Sequence, residues 1–140
     1  MTEPDAGPRR RADASLVVLS DKLSAADLQA MIGLAPDRSW QSGDPIGRSG
    51  RARQRFSGWR VDVAQSEQTA ESQISTLFDR IRAVEGHIAA VASDPRVHSV
   101  ALWVTAEGDR FALELAPSRL MDIARLGATL KVNAYDIGYV

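Results

Sequence analysis

The segment between residues 36 and 58 limits what this chain can fold into more than any other part of its sequence. It is rich in residues that interrupt regular structure, namely Gly43, Pro45, Gly47 and Gly50. An irregular connection of this length inside a compact domain would leave many backbone groups unpaired, so it has to be held in place. Trp40 lies inside it and Trp59 directly follows it, and each tryptophan can bury about 150–250 Å². We therefore interpret the two as a clamp on a sheet. The alternative is a small-ligand pocket with both as walls and Arg38 and Asp44 as polar contacts.

Strand and helix patterns flank this segment on both sides. Strand-like alternation or short apolar runs occur at residues 14–19, 59–63, 100–105, 111–115 and 130–135. Helical spacing of apolar residues begins after Ser24, covers residues 68–92 and returns after Pro117. Ser24 followed three residues later by Asp27 predicts a capping box, and Gly86 indicates a break or bend in the second helical region. Because a turn at residues 107–109 joins two of the strand patterns, we predict a hairpin there.

These elements predict a single α+β domain over residues 14–140, preceded by a disordered tail at residues 1–13, which are rich in proline, glycine and charge. We expect a mixed or mostly antiparallel sheet of five to six strands, with three helices mainly on one face, related to the ferredoxin-like fold. Its core should contain apolar residues that share the helical or strand spacing: Leu28, Ile32, Leu77, Phe78, Ile81, Leu102, Leu113 and Ile123.

Composition and charge exclude several classes of function. Seventeen basic and eighteen acidic side chains give a net charge of −1, so no global field attracts nucleic acid or an anionic membrane. The apolar run at residues 16–19 is far shorter than the roughly 20 residues of a membrane helix, so we predict no membrane contact. The absence of cysteine excludes disulfides and thiolate chemistry and indicates a reducing compartment, the cytoplasm.

No assembled catalytic or metal-binding motif occurs in the sequence. The two histidines, His87 and His98, have no further ligand at metal-binding spacing, so we predict no metal site and no cofactor. Neither a nucleophile elbow, a phosphate-binding glycine loop nor a paired-carboxylate motif is present. We predict no catalytic residue and interpret the protein as non-enzymatic.

Arginine is concentrated in the irregular segment, at Arg48, Arg51, Arg53 and Arg55. Guanidinium groups form paired hydrogen bonds with carboxylates, so these side chains predict binding to another protein through an acidic surface. The alternative is nucleic-acid binding, in which arginines contact phosphates and neighbouring aromatic rings stack on bases. The balanced net charge disfavours that alternative. The sequence leaves open whether two copies of the chain pair as a homodimer.

Three segments, GLAPDRSWQSGDP, SGW and DIARLGATLKVNAY, resemble the bacterial family catalogued as domain of unknown function 4279, and the likeness extends from about residue 15 to 135. Its most specific matches are Pro36, Trp40, Gly43, Asp44, Gly58 and Trp59, and Tyr135 closes the family motif. The resemblance implies a fold, a structural role for these residues and no established reaction. Some relatives look like members of bacterial toxin-immunity neighbourhoods, which implies a protein partner. This chain has Asn133 where the family usually carries an acidic residue, so any acid–base role of that position would be lost here.

Overall fold

The computed structural model describes residues 11–66, 69–107 and 113–135. Seven strands occur in these ranges: β1 (Arg11–Ser20), β2 (Arg38–Trp40), β3 (Pro45–Ile46), β4 (Ala52–Arg53), β5 (Ser57–Ser66), β6 (Ser99–Glu107) and β7 (Thr129–Tyr135). Five of them form one sheet in the order β2-β5-β1-β6-β7, and β3 and β4 form a separate two-stranded hairpin. The pairs within the large sheet are antiparallel except for β6 and β7, which are parallel.

Four α-helices in the described residues accompany the sheet: α1 (Ala25–Ile32), α2 (Ala70–Ile81), α3 (Glu85–Ala92) and α4 (Pro117–Arg125). Helix α1 begins at the predicted capping box, in which the Ser24 side chain accepts from the Asp27 amide and Asp27 accepts from the Ser24 amide. The predicted helix over residues 68–92 is divided into α2 and α3 by a 3₁₀ turn, Arg82–Val84. The interruption therefore precedes Gly86, the residue at which the sequence indicates a break.

The hydrophobic core lies between one face of the sheet and the helices. Leu16, Trp59 and Leu102 from the three central strands belong to one buried cluster with residues from all four helices. Seven of the eight predicted core residues are buried, and the eighth, Leu113, packs half-buried against the same cluster. The predicted α+β architecture, with a mixed sheet and helices on one face, is confirmed. The relation to the ferredoxin-like fold stays a prediction.

Two local predictions need correction. Residues 113–116 have no regular secondary structure, so the described part of the predicted strand at 111–115 is not a strand; the turn at 108–109 and residues 111–112 lie outside the described residues. The physical reason is that β6 already pairs with β1 on one side and with β7 on the other, which leaves no edge for a hairpin partner. The predicted tail also ends too late, because Arg11–Asp13 pair with Thr105–Glu107 as part of β1. Residues 1–10 lie outside the described residues.

None of the helices within residues 11–66, 69–107 and 113–135 combines the length and apolar character that crossing a bilayer requires.

Candidate functional site

The two tryptophans that flank the irregular segment lie on opposite faces of the sheet. Trp59 is fully buried in the core between sheet and helices, and its Nε1 donates to the Leu34 carbonyl at 2.9 Å. This bond fixes the chain just after α1, ahead of residues 36–58, and the clamp on that segment stays a prediction. Trp40 pairs with Gly58 across β2 and β5 and covers the other face, because side chains alternate along a strand. The two rings are therefore not two walls of one pocket.

Gly58 is the position that allows Trp40 to lie so close to the sheet. A Cβ atom at Gly58 would lie 2.1 Å from Cζ2 of Trp40, well inside van der Waals contact. The indole of Trp40 thus occupies the space above the glycine. Its Nε1 is buried without a hydrogen-bond partner in the described residues.

Other residues of the family motif form the base of the β3–β4 hairpin. Gly43 has a φ of 93° and donates its amide to the Gln54 carbonyl at 2.8 Å, while the Asp44 carbonyl accepts from the Gln54 amide at 2.7 Å. The Asp44 carboxylate accepts from the Gln41 amide at 2.8 Å. These bonds give Gly43 and Asp44 a structural role. Half-buried Pro36 precedes β2, and Tyr135 ends β7 in register with Glu107.

The four predicted binding arginines all belong to this projecting hairpin, residues 43–55, which we call the arginine hairpin. Its strands pair Pro45 with Arg53 and Ile46 with Ala52. All four arginines, Arg48, Arg51, Arg53 and Arg55, are exposed. Ile46 is an apolar side chain that is 42% exposed on the same hairpin.

The arginine hairpin differs from the rest of the described chain in how its arginines are compensated. Every arginine outside it whose side chain is described lies within 4 Å of an aspartate carboxylate: Arg38, Arg60, Arg80, Arg82, Arg96, Arg119 and Arg125. Within the hairpin, Arg53 donates to the Gly43 carbonyl at 3.3 Å and Arg55 lies 5.3 Å from the centre of the Phe56 ring. Neither has a carboxylate partner in the described ranges, and the side chains of Arg48 and Arg51 have no partner there at all.

A second group of functional side chains lies on the sheet face opposite the helices, which we call the open face. One cross-strand row of this face runs through Asp62, Ser15, Trp103 and Lys131, on β5, β1, β6 and β7. The adjacent row begins with Arg38 and Arg60 and continues with Val17 and Ala101. Ser15, Val17 and Ala101 on this face are buried, although the described helices pack against the opposite face of the sheet.

Asp62 is the centre of a hydrogen-bond network on the open face. Its Oδ1 accepts from Ser15 Oγ at 2.6 Å and from Arg60 Nε at 2.6 Å, and Arg60 Nη2 donates to Ser15 Oγ at 3.1 Å. Arg38 Nε lies 3.7 Å from the other carboxylate oxygen. Partial burial raises the pKa of Asp62, but the hydrogen bonds from Ser15 and Arg60 together with the charges of Arg60 and Arg38 lower it more, so the pKa lies below its ordinary value.

Asp37 links the edge of the sheet to helix α2. Both of its carboxylate oxygens accept from the guanidinium of Arg80, which also donates to the Asp62 carbonyl at 2.9 Å. The hydrogen bond from Arg80 lowers the pKa of Asp37 below its ordinary value, although burial opposes it. Both carboxylate oxygens of Asp37 are thereby engaged by Arg80, and the nearby charge of Arg38 lowers the pKa of Asp37 further.

Two concavities indent the open face and meet at Arg60. The larger, about 540 Å³, is lined by Asp37, Arg38, Ser39, Trp40, Gln54 and Arg60. The smaller, about 260 Å³, is lined by Ser15, Arg60, Trp103, Thr105 and Asn133. The Nζ of Lys131 lies 5.0 Å from the centre of the Trp103 ring, so one face of that ring already carries a cation.

The histidines and acidic residues lie apart from these sites. His87 Nδ1 lies 3.1 Å from the Ile32 carbonyl, and His98 stacks on Phe56 with the ring centres 4.2 Å apart. In the described ranges, no three His, Asp or Glu side chains group as metal ligands would.

Sequence reasoning missed the open-face network. It singled out neither Ser15, Asp62 nor Trp103. The signal that could have found them is the alternation of side chains along a strand. Each of the three lies next to an apolar residue that faces the core, such as Leu16, Val61 and Leu102, and so faces the other side of the sheet.

The comparisons with known proteins agree with the sequence motifs. The sequence profile described as domain of unknown function (DUF4279) matches residues 10–137. No curated protein and no solved structure matches the chain.

Proposed function

The chain belongs to the family described as domain of unknown function 4279, and from its surface we propose that it is a non-enzymatic, cytoplasmic module that binds an acidic surface of another protein through the arginine hairpin. Some relatives look like members of bacterial toxin-immunity neighbourhoods, so an immunity-type role of this chain is the first to test.

The observation that carries this proposal is the uneven compensation of arginine. Outside the hairpin, the described arginines have aspartate partners, whereas Arg48, Arg51, Arg53 and Arg55 have none in the described residues. A guanidinium that is not already paired can form two parallel hydrogen bonds with an incoming carboxylate without breaking an internal ion pair. The hairpin therefore presents its charges to a partner at no cost to the fold.

The apolar and backbone features of the hairpin support the same function. Ile46, 42% exposed, supplies an apolar contact beside the charges. Interfaces are enriched in arginine and in apolar contacts at their centre, with polar groups around them. Gly47 and Gly50, with φ of 70° and 65°, lie in the connection between β3 and β4, where only glycine adopts such a backbone readily.

A capture experiment with a matched variant tests the proposal. The tagged full chain is incubated with lysate of its native cell, cross-linked and analysed by mass spectrometry, beside the variant Arg48→Ser/Arg51→Ser/Arg55→Ser. The control variant, Arg82→Ser/Arg96→Ser/Arg125→Ser, removes three exposed arginines that pair with aspartates elsewhere. Both variants change the net charge equally. We expect a protein that is captured by the native chain and the control but lost with the hairpin variant, and then confirmed with purified components.

Three results would contradict the proposal. One is a captured protein that both variants retain, and another is a loss that is equal in both. The third is capture that nuclease abolishes and that weakens about a thousandfold between 50 and 200 mM salt, since that dependence is typical of several phosphate contacts. Thermal unfolding of each variant checks that the comparison is made between folded proteins.

A further inference from the structure

Around the larger concavity, the described arginines outnumber the described carboxylates. Arg38, Arg60 and Arg80 lie around two carboxylates, those of Asp37 and Asp62. Arg80 binds both oxygens of Asp37, and Arg60 donates directly to Asp62. Arg38 has only the longer 3.7 Å contact with Asp62, and its side chain is 62% exposed. One positive charge is therefore available to an anion at this position.

Arg60 adds directed donors beside that charge. Its Nε and Nη2 are held by Asp62 and Ser15, which fixes the plane of the guanidinium. Its Nη1 has no partner in the described part of the chain, and Arg60 lines both concavities. A guanidinium oriented in this way can donate to a carboxylate or phosphate without losing its internal bonds.

An aromatic surface lies at a fixed distance from the two arginines. Trp40 is on the same strand and the same face as Arg38, two residues further, so the two side chains leave the backbone about 6.5–7 Å apart. Trp40 and both arginines line the concavity of about 540 Å³, a size within the roughly 300–1,000 Å³ of small-molecule sites. The ring is held in place against Gly58 and so offers a fixed surface for stacking.

We propose that this concavity of the open face is a binding site for a small organic anion in which a flat ring is joined to a single carboxylate or phosphate. The anionic group binds Arg38 and Nη1 of Arg60, and the ring stacks along Trp40. The site shares Gln54 with the arginine hairpin, but none of the hairpin's four arginines lines the concavity.

Isothermal titration calorimetry of the full chain with three related probes tests the site. The probes are 1-naphthoate, 1-naphthyl phosphate and, as a neutral control of the same shape, 1-naphthamide. We expect at least one of the two anions to bind, and the amide to bind at least tenfold more weakly than that anion. The relative affinity of naphthoate and naphthyl phosphate shows which anionic group the site prefers. If neither anion gives measurable binding at millimolar concentration, or if the amide binds as well as the better anion, the proposal is wrong.

Three variants locate the binding. Arg38→Gln removes the exposed charge and should lower the affinity for the better-binding anion at least tenfold. The control Arg82→Gln changes an exposed arginine on the helical side of the sheet and should leave that affinity unchanged. The hairpin variant Arg48→Ser/Arg51→Ser/Arg55→Ser should also bind the anion as the native chain does. This result separates the two proposals, because the hairpin variant loses the protein partner only. Unchanged affinity in Arg38→Gln, or equal loss in the hairpin variant, would overturn the assignment of the site.

Discussion

The arginines between residues 38 and 60 divide into two groups that the fold uses differently. Arg38 and Arg60 lie on the open face of the sheet, where Asp62 and Ser15 hold Arg60 by hydrogen bonds and Asp62 lies 3.7 Å from Nε of Arg38. Arg48, Arg51, Arg53 and Arg55 lie on the arginine hairpin without carboxylate partners in the described residues. The difference teaches that strands β2 and β5, which carry Arg38 and Arg60, are part of the stable fold, while the arginine hairpin exposes its side chains to solvent. The predictions below test this contrast.

The largest effect on stability is expected for Trp59 in strand β5. Trp59→Ala should lower the free energy of unfolding by about 3–5 kcal/mol, because it leaves a cavity in the core. It also removes the hydrogen bond to the Leu34 carbonyl. Urea unfolding measures the change. The matched hairpin variant is Ile46→Ala, at a 42% exposed position. Its free energy of unfolding should stay within about 0.5 kcal/mol of that of the native chain. A loss below 1 kcal/mol for Trp59→Ala would show that the clamp interpretation is wrong.

The next effect is expected at Gly58. Gly58→Ala should destabilise the chain by about 1–3 kcal/mol, since the new Cβ would overlap Trp40 and force it to move. The double variant Gly58→Ala/Trp40→Leu should be less destabilised than the sum of the two single changes, which thermal unfolding of all three variants measures. Gly86→Ala inside α3 is the control, because a Cβ atom at this position would have no other atom within 4 Å. This variant should raise the free energy of unfolding by about 0.5–1 kcal/mol, since alanine has the higher helix propensity. Additive losses at Gly58 and Trp40 would contradict the described contact.

A smaller, pH-dependent effect is expected from Asp62. Because the pKa of Asp62 is lowered in the folded chain, its ionised form stabilises the fold above the unfolded pKa of about 3.9, and this stabilisation is lost as the pH falls through the lower folded pKa. Asp62→Asn should therefore be about 1 kcal/mol less stable than the native chain at pH 7. That difference should shrink as the pH falls below about 4. Unfolding curves at pH 7, 5, 4 and 3 measure it, and a difference that stays constant to pH 3 would refute the role of the charge.

Local patterns in the sequence predicted much of this fold. Capping by Ser24, helical spacing over residues 68–92 and alternation around Trp59 and Val61 each depend on residues near one another in the chain. Short-range periodicity determines which side chains face the core, so the core and the three helical regions followed from it.

The parts that could not be predicted depend on register between distant strands. Ser15 and Asp62 meet because β1 and β5 pair, although they are 47 residues apart. The parallel pairing of β6 with β7 likewise depends on the connection through α4, whereas the sequence pattern favoured a hairpin after β6. The separation of Trp40 from Trp59 follows from β2 pairing with β5, which no local pattern near either tryptophan specifies.

The smallest effect on stability is expected at the arginine hairpin. Arg48→Ser/Arg51→Ser/Arg55→Ser removes three exposed charges with no carboxylate partner in the described residues, so the free energy of unfolding should change by no more than about 0.5 kcal/mol. Arg60→Ser removes one arginine but leaves Asp62 without its closest cation, so it should cost more than the hairpin triple variant. Urea unfolding of both variants at the same pH measures the difference. If the triple variant is as destabilised as Arg60→Ser, its arginines stabilise the fold, and the contrast between the two groups fails. If it is stable yet loses the captured partner, the hairpin's arginines serve binding rather than folding.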